Sequence, residues 1–158
     1  MFYHVVASQQ PKTKAQIQNT KEDAVSETPV LFRIILQVDD LDKAEEFYAT
    51  LLGDRGRRIP RAGRHYIDCG SVILALVNVS AEGNQPTPLP DNIYFSVKDL
   101  DAVHARARAL NCLSTEDVHG DSAGDIAKRP WGERSFYAFD PWRNPICFVD
   151  EKTLFTGK

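Results

Sequence analysis

The chain has 158 residues, 42% hydrophobic and 26% charged, with a formal charge of −3 and an isoelectric point near 5.8. That length builds one domain with a proper core rather than two, and the mild acidity argues against nucleic acid or an acidic membrane as partner. No apolar run approaches the ~20 residues that span a bilayer, the start of the chain lacks the order of a secretory signal, and three scattered cysteines make no disulfide framework or zinc ribbon, which together point to a reducing cytoplasm.

In chain order, residues 1–28 are rich in Gln, Lys, Thr, Glu and Ser and read as a flexible tail. The domain is expected over 29–158. Val30 to Val38 is apolar and β-branched, a strand by length and composition. From Leu41 the apolar residues Leu41, Ala44, Phe47, Tyr48, Leu51 and Leu52 follow helical spacing; Asp42 and Glu45 resemble a capping box, and Gly53 supplies the stop. Strands are expected at Arg57 to Pro60, Arg64 to Cys69 and Ser71 to Val79. A turn-rich linker over 81–90 separates this first unit, 29–80, from a second at 91–151. There the order returns: a strand at Asn92 to Val97, a helix with Leu100, Val103, Ala107 and Leu110 on one face, a stop at Asn111, then strands near Leu113 to His119, at Arg134 to Phe139 and at Pro145 to Asp150.

The repeat is visible in the letters. Val38-Asp-Asp-Leu-Asp42 returns as Val97-Lys-Asp-Leu-Asp101, 59 residues later, each time closing a strand and opening a helix. The expected fold is α+β, two pseudo-symmetric βαβββ units forming an incomplete barrel around a cleft.

With these residues in view, the chain from Leu31 to Asp150 resembles the vicinal oxygen chelate superfamily of glyoxalases, bleomycin resistance proteins and extradiol dioxygenases. The most specific stretch is Pro130-Trp-Gly-Glu-Arg-Ser-Phe-Tyr-Ala-Phe-Asp-Pro-Trp-Arg-Asn144, similar to the superfamily's final hairpin, with Arg143 standing where a turn glycine is preferred. The resemblance implies a small-molecule site in the cleft, a homodimer, and, in enzymes of the group, a divalent metal held by His or Gln, Glu, His and Glu from the first and last strand of each unit. Mapped by distance from the repeated phrase and from the closing valines, those four positions hold Arg33, Ala75, Asn92 and Cys147.

Arginine stays protonated and has no lone pair to give, and alanine has no donor, so the expectation is no metal and no other cofactor. Of the histidines, His104 is placed on the polar face of the second helix, while His4, His65 and His119 show no ligand spacing; Glu133 and Glu151 read as solvated strand ends, and Cys147 as a small hydrophobe. Candidate ligand-binding residues are Arg33, Gln37, Tyr66, Asn92, Tyr94, Trp131, Tyr137 and Cys147; no catalytic residue is singled out. The expected function is metal-free binding of a planar or acidic ligand, with Arg33 as its anchor. The alternatives are a metal-dependent or acid–base lyase, isomerase or dioxygenase of the same superfamily, and a scaffold without a small ligand.

Overall fold

The computed structural model describes residues 29–157; the tail reading for 1–28 and His4 lie outside the described residues. Two open four-stranded sheets each carry one helix. In the first unit, β1 (Arg33–Val38) leads into α1 (Leu41–Leu52), followed by β2 (Arg57–Ile59), β3 (Arg64–Cys69) and β4 (Val72–Asn78). The second runs through β5 (Ile93–Val97), α2 (Leu100–Ala109), β6 (Asp117–Val118), β7 (Asp121–Ser122), β8 (Ala127–Lys128), β9 (Arg134–Phe139) and β10 (Pro145–Asp150). Sheet order is β1-β4-β3-β2 in one and β5-β10-β9-β8 in the other, with the first strand of each unit parallel to its last. The helices start at Leu41 and Leu100, 59 residues apart, so the repeat in the letters is a repeat in space.

Asp40 caps α1, its Oδ1 accepting from the backbone N–H of Asp42 and Lys43, and Asp99 caps α2 through Ala102. The capping box expected at Asp42 therefore sits two residues earlier, because the aspartate still in extended backbone is the one whose carboxylate reaches the free N–H groups. Gly53 and Asn111, at φ 77° and 52°, close the helices in the left-handed region.

The helix-facing side chains of both sheets meet in one core. Leu36, Val38 and Leu76 from the first sheet and Phe136, Ile146 and Phe148 from the second pack with Leu41, Tyr48, Leu51, Leu100 and Val103 from the helices. Burying such side chains stabilises by about 1.5–3 kcal/mol each, and alternation along the strands leaves the opposite faces of both sheets without a helix. The hairpin turn between β9 and β10 closes this core from the side. Asp140, 3% exposed, accepts from Tyr48 Oη on α1 at 2.7 Å, from the backbone N–H of Trp142 and Asn144 at 2.9 and 2.8 Å, and from Asn144 Nδ2 at 2.8 Å. Trp142 Nε1 donates to Asp39 at 2.7 Å. Arg143 takes the glycine-preferring conformation, φ 68°, so the turn keeps its geometry with a side chain in place at a cost of about 1–2 kcal/mol.

Two elements depart from the sequence expectation. Leu113 to His119 is not a sheet strand: Leu113 forms an isolated bridge to Ala138, β6 pairs only with β7, and the edge of the second sheet is β8. His104 is buried rather than on a solvated face, its Nε2 2.8 Å from the carbonyl oxygen of Gly124 and its ring edge-on to Phe136. The 114–128 excursion folds back against α2 and covers it.

Because the Asp140 carboxylate joins the two units, its loss strands three donors of its own turn and one from α1. Tyr48→Phe is expected to lower unfolding free energy by about 1.5–3 kcal/mol, and Asp140→Ala by about 3–5 kcal/mol, measured by urea denaturation. A loss below about 0.5 kcal/mol for Asp140→Ala contradicts this account of the hairpin.

Candidate functional site

The helix-free face of the first sheet reads off the strand register. Ile35 lies beside Ala75, Ala75 beside Tyr66, and Tyr66 beside Arg57; Arg33 leads one flanking row to Ile73 and Asp68, and Gln37 leads the other to Val77 and Arg64. The face is cationic. Arg33 stacks 4.9 Å from the centroids of both Tyr66 and Phe32, and Arg57, on the same tyrosine at 5.8 Å, pairs with Asp68 at 2.6 Å. Arg33 has no acid within ion-pairing distance among the described residues, and its Nε is buried without a hydrogen-bond partner. A guanidinium stacked on an aromatic face keeps its N–H edge free for a planar anion.

Gln37, expected beside it, is occupied elsewhere: its Oε1 accepts from the backbone N–H of Thr87 at 2.9 Å and ties the linker to β1.

The second sheet carries the matching row Tyr94–Cys147–Tyr137, with Ser96–Val149–Ser135 behind it. Tyr137, Cys147 and Val149 form a small core of their own with Ala123 and Val118, so the 114–128 excursion fills part of this face. The rest is an open groove of about 640 Å³ lined by Tyr94, Ser96, Trp131, Glu133, Leu154 and Phe155. Trp131 and Tyr94 are thus brought together, with His119 edge-on to Trp131 at 5.1 Å. Asn92 stands just before β5, its backbone and side chain both turned to Asp91.

Two residues of the groove, Leu154 and Phe155, escaped sequence reasoning, and a third, Glu133, is placed differently from it. Glu133 is buried, not a solvated end: Oε2 accepts from Trp131 Nε1 at 2.7 Å and Oε1 from the backbone N–H of Phe155 at 2.9 Å. Leu154 and Phe155 reach the groove because the chain turns back after β10, with Thr153 Oγ1 accepting from Arg134 N. An apolar pair following the last strand was the one signal that pointed there. Arg129, 2% exposed, supports the floor: Nε and Nη2 donate to Ser135 Oγ and O at 3.0 Å, and the guanidinium lies 5.0 Å from the Tyr137 ring.

Arg33, Ala75, Asn92 and Cys147 do not form a donor set for the superfamily's metal. Arg33 and Ala75 offer no lone pair, which leaves Cys147, its thiol pushed up to about 11 by burial, and the Asn92 amide, too few donors for a metal. Among the described residues no three His, Cys, Asp or Glu side chains converge as ligands. His65 is turned away from the site, its Nε2 2.7 Å from the carbonyl oxygen of Arg55 and its Nδ1 3.6 Å from Glu45. Desolvation also raises the Tyr94 and Tyr137 hydroxyls, so neither is a ready base.

Burial raises the thiols of Cys112 and Cys147 alike to about 11, against about 8.5 in an unfolded chain. The stability contributed by keeping them neutral is whole below pH ~8.5 and is lost as pH rises toward 11, because the unfolded chain releases its protons first. The urea midpoint is expected to fall across pH 9–11, and to fall less steeply in Cys112→Ala/Cys147→Ala. Equal slopes in the two proteins contradict the assignment.

The sequence profile of the glyoxalase, bleomycin resistance protein and dioxygenase superfamily matches residues 30–148. Comparison with the curated proteins gives no match. Among solved structures, the chain is similar to a glyoxalase/bleomycin resistance protein from Albidiferax ferrireducens T118 (TM-score 0.59, 20% identity, 77% of this chain and 98% of that one). It is similar also to a lactoylglutathione lyase from Agrobacterium tumefaciens (TM-score 0.56, 22% identity, 80% and 96%) and to the oxidase ChaP-H2 (TM-score 0.61, 21% identity, 78% and 94%). At these identities the likeness carries the fold alone, whereas the profile spans most of the sequence: the chain belongs to the Glyoxalase/Bleomycin resistance protein/Dioxygenase superfamily.

Proposed function

We propose that this protein is a metal-free small-molecule binding protein that holds a planar or acidic ligand against the helix-free sheet faces. The observation that carries the reading is Arg33: a guanidinium stacked on Tyr66, with a buried Nε that nothing in the described chain pairs. Leaving that Nε–H unpaired costs about 1–3 kcal/mol, and a ligand carboxylate or phosphate is the partner a guanidinium suits. Tyr66, Tyr94 and Trp131 offer aromatic surface for the ligand body. Cys147 and Tyr137 act from beneath as floor, and Gln37 and Asn92 are peripheral.

The protein works as a homodimer in this reading. The first sheet shows its cationic face and the second its aromatic groove, with Phe32, Ile35, Tyr94, Leu154 and Phe155 exposed. Pairing between copies covers such apolar surface and the open sheet edges. A reducing, cytoplasmic setting suits three free thiols, and among the described residues no helix is long and apolar enough to cross a membrane.

Arg33→Met is expected to weaken an acidic aromatic ligand, found by thermal-shift screening, by roughly 10- to 100-fold while sedimentation still gives the dimer mass. Unchanged affinity for a ligand that occupies the cleft sinks the anchor role.

One observation favours a second reading, an acid–base lyase or isomerase. Glu133 is the carboxylate lining the groove, fixed from both oxygens by Trp131 and Phe155. Metal content separates binding protein from metal-dependent enzyme: purified protein is expected to carry well under one equivalent of Fe, Zn, Ni or Mn, with a melting temperature indifferent to chelator. Stoichiometric metal whose removal lowers that temperature means the ligands lie elsewhere.

A further inference from the structure

A second cavity, of about 370 Å³, opens where α1, the end of α2 and the β9–β10 turn meet. Its walls mix the apolar side chains of Phe47, Leu110, Leu113, Phe139 and Pro141 with Asn111, Cys112, Asp140 and Arg143, and its volume is within the range of small-ligand sites. Two of its lining residues, Asn111 and Arg143, hold left-handed backbone without being glycine.

Asn111 is explained by its place at the end of α2. The turn explains the backbone at Arg143 as well, since Arg143 N donates to Asp140 O and Asp140 N to Asn144 O. It does not explain the side chain. A glycine serves this turn better, yet a guanidinium stands there, exposed, 4.0 Å over the Phe139 ring and without an acid partner among the described residues. A charged side chain kept beside a cavity at the cost of sparsely populated backbone is a pointer to a ligand.

The geometry points to a binding site for a small carboxylate with an apolar body. The body fills the cavity, and the carboxylate lies at its mouth against the free N–H edge of Arg143, with the Asn111 amide at hand as a further donor. Stacking on Phe139 leaves that edge unobstructed and holds the plane of the guanidinium, which suits bidentate pairing. The other charge in the wall, Asp140, does not compete. Its oxygens accept from four donors at 2.7–2.9 Å and the residue is nearly buried, so the charge presented to solvent is the arginine's. The site shares no residue with the groove of the second sheet, so it stands or falls apart from the function proposed above.

The test is an amide chemical-shift titration of the full chain with 4-phenylbutyrate and, in parallel, with neutral 4-phenylbutanamide. The carboxylate is expected to give saturable shifts at Asn111, Leu113, Phe139 and Arg143, and to bind roughly tenfold or more tightly than the amide. Arg143→Gly relieves the backbone and folds at least as well, yet is expected to lose that preference for the carboxylate. If Arg143→Gly does not fold, Arg143→Asn carries the same test, since asparagine tolerates the left-handed region. Equal affinity for acid and amide, an unaltered preference in the arginine variant, shifts confined to Tyr94, Ser96 and Trp131, or no saturable shift at all each overturn the assignment.

Discussion

The Asp140 carboxylate is the point on which the two units depend. An ionisable group this deeply buried survives only if its lone pairs are used, and here they are used by donors from two places at once. Three come from its own turn, fixing how β9 hands over to β10. The fourth is Tyr48, from the helix of the other unit, 92 residues away in sequence. Burial and the neighbouring carboxylate raise the Tyr48 hydroxyl well above its ordinary range, so it remains a donor under all ordinary conditions. The bond fixes the register of α1 against the last hairpin, and through the hairpin it positions β10, whose outer face carries Cys147 and Val149.

With the helices spent on one another, both sheets turn a face away from the core. The repeat makes these faces alike in geometry, but the side chains make them opposites. The first presents guanidinium groups around Tyr66, relieved among the described residues only by Asp68; the second presents Tyr94, Trp131 and a buried glutamate, narrowed by the 114–128 excursion and the C-terminal turn. A cationic half and an aromatic half together suit a ligand that is both flat and acidic.

The four positions that the resemblance assigns to metal ligands differ in their surroundings. Ala75 and Cys147 are both buried on central strands, where close packing sets what fits. Arg33, at a strand beginning, had room to retain a charge.

How much of this was legible in the letters depends on the range of the interaction. The 59-residue repeat, the strand alternation and the helical spacing are short-range patterns, and they determined two βαβββ units, which residues face the core, and that Arg33, Tyr66, Tyr94 and Cys147 lie on the outer faces. Left-handed backbone at Gly53 and Asn111 was readable for the same reason. Burial of His104 was not, because it is covered by Gly124 from an excursion that no periodicity announces. Nor was the place of Glu133, which became a groove wall only when Phe155 returned to meet it. Gln37 looked like a site residue by parity, and tertiary structure gave it to the linker. Periodicity records what a residue's near neighbours require of it; partners distant along the chain leave no such record, and only the folded chain decides which polar groups they claim.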